Sequence, residues 1–233
     1  MNYYNLLFLK LLFFCLIKEY HADTSNGSRH DINTQETGKQ DNSTVSIEKI
    51  TIKVYYETHC PASVTFFTAQ LQPVVKKLGS YLDVHLIPYG HATTREVLGR
   101  YLFKCQHGPK ECNGNKLHAC AVDALQNNTK AVVFNSCLMQ FSRHTYETDT
   151  AFVLIKCGKN LNLSVNGIWR CMDSERSSRL LKSYGDETHS LRLRYVPYIL
   201  MDYSTTGQFE LVDDLMTTVC RILQPTPPSC IIF

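Results

Sequence analysis

Cys60 stands in the stretch Thr58-His59-Cys60-Pro61-Ala62-Ser63, between a segment with strand spacing and a segment with helix spacing. A proline directly after the cysteine suits the first position of a helix, where its missing N–H is not needed. A cysteine at a helix N-terminus meets unpaired backbone N–H groups and the positive end of the dipole. Both favour the thiolate. A protonated His59 would push the same way. The stretch therefore offers a nucleophilic thiol, and the alternative is a structural half-cystine. Ser63 with His59 could also suggest a serine nucleophile. No acid is placed to orient that histidine, and Pro61 between the two suits a redox turn better.

Whether Cys60 is free depends on where the chain resides. The chain has 233 residues and ten cysteines. Leu6 to Ile17 is an apolar run broken once, by Lys10, and followed by Lys18 and Glu19. It is short for a bilayer but fits the core of a secretory signal, so residues 1–22 are expected to be a signal peptide cleaved after Ala22. An uncleaved anchor or a buried strand is the alternative. No later segment reaches membrane-spanning length, so no span is expected after cleavage. Asn26, Asn42, Asn127 and Asn162 each begin an Asn-x-Ser/Thr triplet, the acceptor for N-glycosylation. Together these features imply a soluble, glycosylated protein of the secretory pathway, lumenal or secreted. Removing residues 1–22 removes Cys15 and leaves an odd number of cysteines. Thiols pair in an oxidising compartment, so at least one is left over. Parity does not identify it, but the surroundings of Cys60 do. Cys105, Cys112, Cys120, Cys137, Cys157, Cys171, Cys220 and Cys230 are then expected to form structural disulfides. Cys220 and Cys230 are close enough to pair across the end of the last helix, and the remaining connectivity is open.

The elements that must hold Cys60 are legible around it. Residues 23–48 are rich in Ser, Thr, Asn, Asp and Gln with no apolar period, and read as a disordered glycosylated leader. Ile50, Ile52, Val54 and Tyr56 alternate as a strand does. Phe67, Leu71, Val74, Val75 and Leu78 recur as one helix face, with Pro73 expected to kink it. Leu82 to Ile87 reads as a second strand, giving a βαβ unit of parallel strands. Far downstream, Tyr195-Val196-Pro197-Tyr198-Ile199 opens an apolar strand. Gln208 to Val212 is expected to pair with it as a hairpin across Thr205-Thr206-Gly207. Leu215, Val219, Ile222 and Leu223 predict a terminal amphipathic helix with Asp213 and Asp214 in its first turn. Between these ends, Ala119 to Leu125 and Arg176 to Tyr184 look helical, and neither supplies a large apolar face. Trp169 and Ile168 are expected to pack as core.

Cys60 with its proline resembles the thioredoxin active site, whose motif is Cys-x-x-Cys. Ser63 stands where the second cysteine would be. A dithiol reductase forms a mixed disulfide with its first thiol and resolves it with the second. Serine cannot perform the second step, though its hydroxyl could hydrogen-bond the Cys60 thiolate. The resemblance also implies that Val196-Pro197 is the cis-proline site facing the thiol. Pro61, Val196 and Pro197 would then line the groove for an extended substrate. The fold class expected is α/β: a thioredoxin-like domain over residues 49–224 with a large disulfide-stapled helical insertion at about 91–190. Residues 225–233 would form a tail tethered by a disulfide.

Within that insertion, residues 105–120 read Cys-Gln-His-Gly-Pro-Lys-Glu-Cys-Asn-Gly-Asn-Lys-Leu-His-Ala-Cys. Cys105, Gln106, His107, Gly108, Glu111, Cys112, Asn115 and Cys120 match the signature of the gamma-interferon-inducible lysosomal thiol reductase family. The chain resembles that family over roughly residues 50–230. The resemblance implies a glycosylated thiol–disulfide oxidoreductase of lysosomes or the extracellular space that reduces protein disulfides, typically at acidic pH. With Ser63 in place of the resolving cysteine, Cys60 is expected to act alone. Its mixed disulfide would be resolved by a small external thiol, cysteine or glutathione.

Other classes fare worse. The chain has 24 basic and 21 acidic residues, too balanced for a nucleic-acid binder or a polybasic membrane protein. Zinc on Cys105, His107, Cys112, His118 and Cys120 is possible in principle, but the cysteine spacing is not that of a zinc knuckle and disulfides are the better reading. No metal and no cofactor are expected. The terminal Cys230-Ile231-Ile232-Phe233 fits a prenylation pattern, but a translocated chain does not meet that machinery, and a half-cystine is favoured. A second functional reading is a non-catalytic secreted protein that binds partners in the groove beside Pro197 without reducing them.

Overall fold

A computed structural model describes residues 48–142 and 150–231. The expected signal peptide, all of the leader but Glu48, Asn26, Asn42 and the last two residues lie outside the described residues. Among the described residues no helix is long and apolar enough to cross a membrane.

Strand β1 (Ile50–Tyr56) is the centre of a three-stranded sheet. It pairs in parallel with β2 (Leu82–Pro88), Ile50 opposite Leu82 and Tyr56 opposite Pro88. On its other side it pairs antiparallel with β5 (Tyr198–Met201), Val54 opposite Ile199. The strand alternation sorts its side chains by face. Ile50, Ile52, Val54 and Tyr56 enter the main core. Tyr55 faces the other way, with Ile87 and Leu200.

After a turn at residues 57–60, the link from β1 to β2 is helical. Helix α1 (Pro61–Thr65) runs through a π-helical stretch (Phe66–Leu71) into α2 (Gln72–Leu78) and a short 3-10 turn. Phe67, Leu71, Val74, Val75 and Leu78 are all buried in the main core, as their spacing predicts. The expected disturbance at Pro73 takes the form of the wide turn just before it. Proline lacks an N–H and its ring crowds the carbonyl four residues earlier, and a π-turn accommodates both.

Between β2 and β5 the described residues form a hairpin and five helices. The hairpin is β3 (Thr93–Val97) with β4 (Arg100–Lys104), turning at Leu98-Gly99. The helices are α3 (Pro109–Leu125), α4 (Asn128–Ser142), α5 (Thr150–Asn160), α6 (Asn166–Met172) and α7 (Glu175–Leu191). The two helical readings from sequence were fragments of α3 and α7, each of which spans 17 residues. Neither of these two helices was expected to supply a large apolar face by itself, and the core here is built jointly by several helices. Leu117, Phe134, Leu138, Val153, Leu154 and Ile168 form a second core around Cys120, Cys157 and Cys171, with Trp169 packed against it. Bridged cysteines and Ala121 supply part of this core, since cysteine is among the residues most often buried.

Four disulfides join Cys105 to Cys112, Cys120 to Cys171, Cys137 to Cys157, and Cys220 to Cys230. Cys60 is the free cysteine among the described residues. One free cysteine beside eight bridged ones among the described residues, and the Cys220–Cys230 pair, are as expected. The bridges also leave Cys105, Cys112 and Cys120 unavailable to zinc.

The C-terminal hairpin expected at Gln208–Val212 is not formed. Residues Gln208–Asp213 are helix α8, followed by α9 (Leu215–Ile222). The reason is the Gln208 side chain. Its Oε1 accepts from the Ile199 N–H at 3.0 Å, and its Nε2 donates to the Ile199 carbonyl at 2.5 Å. One amide side chain thereby satisfies the free edge of β5, where a partner strand would otherwise sit. Asp214 caps α9 by accepting from the Thr217 N–H, while Asp213 closes α8. Leu215, Val219 and Leu223 are buried, but Ile222 is exposed and not part of the apolar face.

Candidate active site

Cys60 is the N-cap residue of α1, and Pro61 occupies the first turn. The expected strand–cysteine–helix junction is therefore present. Cys60 is partly exposed, and its Sγ lies 3.7 Å from the carbonyl oxygen of Val196, to which the thiol donates. The Val196-Pro197 peptide bond is cis. Two segments 136 residues apart in sequence thus meet at the sulfur.

The expected Ser63 hydrogen bond to the thiol is not formed, and the surroundings of His59 bear on its expected charge. Ser63 is fully buried, and its Oγ makes no hydrogen bond among the described residues. His59 is partly buried, and burial pushes its pKa down, with the nearby Glu111 carboxylate offsetting part of that effect. Its positive charge is thus less available to a thiolate near neutral pH than an exposed histidine's would be.

The signature helix α3 lies directly behind the Cys60 turn. Asn115 Oδ1 accepts from both the backbone N–H (3.0 Å) and the hydroxyl (2.9 Å) of Thr58. Glu111 Oε2 accepts from the His59 N–H at 3.3 Å. Two signature residues therefore fix the backbone of the residues that precede Cys60. Gly114 makes the approach possible: a Cβ there would stand 2.5 Å from Thr58 Oγ1. Gly108 begins α3 with φ +88° and ψ −175°, a conformation confined to glycine. The Cys105–Cys112 bridge closes the loop around it. Gln106 is exposed.

His107 bridges onto Glu111. Its backbone N–H donates to Glu111 Oε1 at 3.0 Å, and its Nδ1 lies 2.6 Å from Glu111 Oε2. Glu57, one residue after β1, is buried against the same group and accepts from the His91 N–H at 2.7 Å. Burial pushes Glu57 up to about 7. The His91 hydrogen bond opposes that rise and the Glu111 charge adds to it. Deeper still, His118 Nδ1 lies 3.0 Å from the Tyr56 hydroxyl, and burial drives that histidine down to about 3. Sequence reasoning missed Glu57, Thr58 and Gly114. Their partners are about fifty residues away, and no local period marks them.

A family model described as gamma interferon inducible lysosomal thiol reductase matches residues 51–161. A gamma-interferon-inducible lysosomal thiol reductase-like protein of Anopheles gambiae is 32% identical, over 78% of this chain and 80% of its own length. The chain belongs to the gamma-interferon-inducible lysosomal thiol reductase family. GILT-like protein 1 of Drosophila melanogaster is also 32% identical, over 79% of this chain and 80% of its own. The mouse family member is 25% identical, over 78% and 71%. Among solved structures, oxidised BdbD from Bacillus subtilis matches with a TM-score of 0.50 and 14% identity, covering 73% of this chain and 85% of that one. The fold of this family member is thioredoxin-like, and the eight signature positions fall on the loop and helix that buttress its Cys60 turn.

Proposed function

We propose that the chain is a thiol–disulfide oxidoreductase that acts on protein disulfides through Cys60 alone. The observation that carries this reading is the position of the free thiol, partly exposed at a helix start and 3.7 Å from the carbonyl that precedes cis-Pro197. An extended substrate lying along Val196 would bring its disulfide to the sulfur. The Cys60 thiolate attacks one substrate sulfur, forming a mixed disulfide and releasing the other as a thiolate, which takes up a proton. A small thiol, cysteine or glutathione, attacks the Cys60 sulfur and frees the second substrate thiol. A second small thiol regenerates Cys60 and leaves as the oxidised dimer. Two small thiols are oxidised for each disulfide reduced. Membership of a thiol reductase family supports this chemistry, as does the serine at 63, which supplies no resolving thiol. A secreted or lysosomal site of action fits four bridged cysteine pairs and the exposed Asn127 and Asn162, which are candidate glycosylation sites.

The test is disulfide reduction at acidic and neutral pH with free cysteine as reductant. Cys60→Ala is expected to lose turnover entirely, and Ser63→Cys to reduce the dependence on added thiol. Equal rates for the natural chain and Cys60→Ala would remove the enzyme reading. The missing resolving thiol also favours a second reading, a binding protein that holds partners beside Pro197. That reading predicts partner binding unchanged by Cys60→Ala and no trapped mixed disulfide.

A further inference from the structure

Behind the Cys60 turn lie three groups whose role the redox chemistry does not explain. Glu57, His107 and Glu111 each present one ligand atom, all within 4.8 Å of one another. Both carboxylates are fully buried, and the His107 side chain is 34% exposed, which leaves a path from solvent. The decisive atom is Glu57 Oε2. It is buried and makes no hydrogen bond among the described residues. It lies 3.4 Å from His107 Nδ1, which is already committed to Glu111. A buried carboxylate oxygen without a partner costs stability unless something else satisfies it.

We propose that Glu57, His107 and Glu111 form a binding site for a divalent transition-metal cation, with zinc the best match to one imidazole and two carboxylates. A cation would take the place of the proton between His107 and Glu111 and satisfy Glu57 Oε2. Two carboxylates compensate its double charge, and a water from the open side completes four-coordination. The outer contacts expected of a metal site are in place. The His91 N–H holds Glu57 Oε1, the His107 N–H holds Glu111 Oε1, and the His59 N–H reaches Glu111 Oε2. Glu57 is packed so tightly on Gly90 that a Cβ there would lie 2.2 Å from its Cγ, so its carboxylate is aimed before any ion arrives. The expectation of no metal rested on the cysteines of the signature. This site uses its histidine and glutamate instead.

The experiment is zinc titration at neutral pH on the full chain with its disulfides intact and Cys60 replaced by alanine, so that the thiol cannot compete. Bound zinc is counted by elemental analysis after dialysis, and its ligands are read by X-ray absorption. One zinc ion per chain is expected, with a first shell of nitrogen and oxygen at about 2.0–2.2 Å and no sulfur. Glu57→Gln and His107→Ala are each expected to weaken binding by at least about tenfold. Far-UV circular dichroism checks that each variant is folded before titration, and His107→Asn, which keeps a donor beside Glu111, replaces the alanine variant if that one unfolds. Absence of binding at millimolar zinc, a sulfur-containing shell, or equal affinity in His107→Ala would overturn the site. None of these outcomes bears on the Cys60 chemistry.

Discussion

At the scale of single residues, the site combines an accessible thiol with polar groups that water does not reach. Ser63 illustrates how a residue type can mislead. Its place in the motif suggested a hydrogen bond to the thiol, yet its hydroxyl is buried and makes no hydrogen bond among the described residues. His118 is a second buried polar group, and its consequence is a pH dependence. It is held neutral by burial, with a folded pKa of about 3 against 6.5 for the free side chain. The unfolded chain therefore binds a proton that the folded chain refuses. The stability this group allows is complete above pH 6.5 and declines as pH falls toward its folded value, by about 2 kcal/mol at pH 5. Glu57 acts in the opposite sense, since a carboxyl raised to about 7 stays protonated when folded and adds stability as pH falls below that value. The two partly cancel, so a comparison of variants is needed. His118→Asn should flatten the loss of stability between pH 6.5 and 5 by about 2 kcal/mol relative to the natural chain, measured by denaturant melts at each pH. An unchanged slope would show that His118 does not remain neutral in the fold.

At the scale of elements, the start of α1 and the first two turns of α3 behave as one unit. Thr58 joins them through Asn115, and Gly114 sets the distance. Two effects compete when Gly114 becomes alanine. Helix propensity favours alanine by about 1 kcal/mol. The new Cβ would meet a threonine hydroxyl held by hydrogen bonds, and such overpacking costs about 1–3 kcal/mol. Gly114→Ala should therefore lower stability by about 1 kcal/mol net and slow alkylation of Cys60, because the turn that presents the sulfur must shift. A stabilised variant with unchanged alkylation would separate the two elements. The same scale explains the misread C-terminus. Gln208 to Val212 has the apolar content of a strand, but the Gln208 amide occupies the edge with which that strand would have paired.

At the scale of the molecule, a thioredoxin-like sheet carries a second apolar core built around bridged cysteines. The disulfides differ in how much chain they close. Cys120–Cys171 spans 51 residues and Cys105–Cys112 only 7. On a loop-entropy account the first stabilises the fold by about 4 kcal/mol and the second by about 2 kcal/mol. Replacing both members of each pair by alanine should rank the losses in that order in thermal melts. The short bridge should have the larger effect on Cys60 reactivity, because its loop carries His107 and leads into Glu111. A reversed ranking in stability would mean that strain or residual structure outweighs loop closure here.

Much of this protein is written along the chain. Strand and helix periods around Cys60 are local, so β1, the helical link and β2 were legible. So were the odd cysteine count and the terminal Cys220–Cys230 pair. The spacing of the signature identified the family but not what its residues do. That was decided only in three dimensions, because burial and hydrogen bonding are relations between distant residues. Glu111 reaches His59 across 52 positions and Val196 reaches Cys60 across 136. No window of sequence contains both partners. The thiol was visible in the sequence; the polar cradle behind it exists only once the chain has folded.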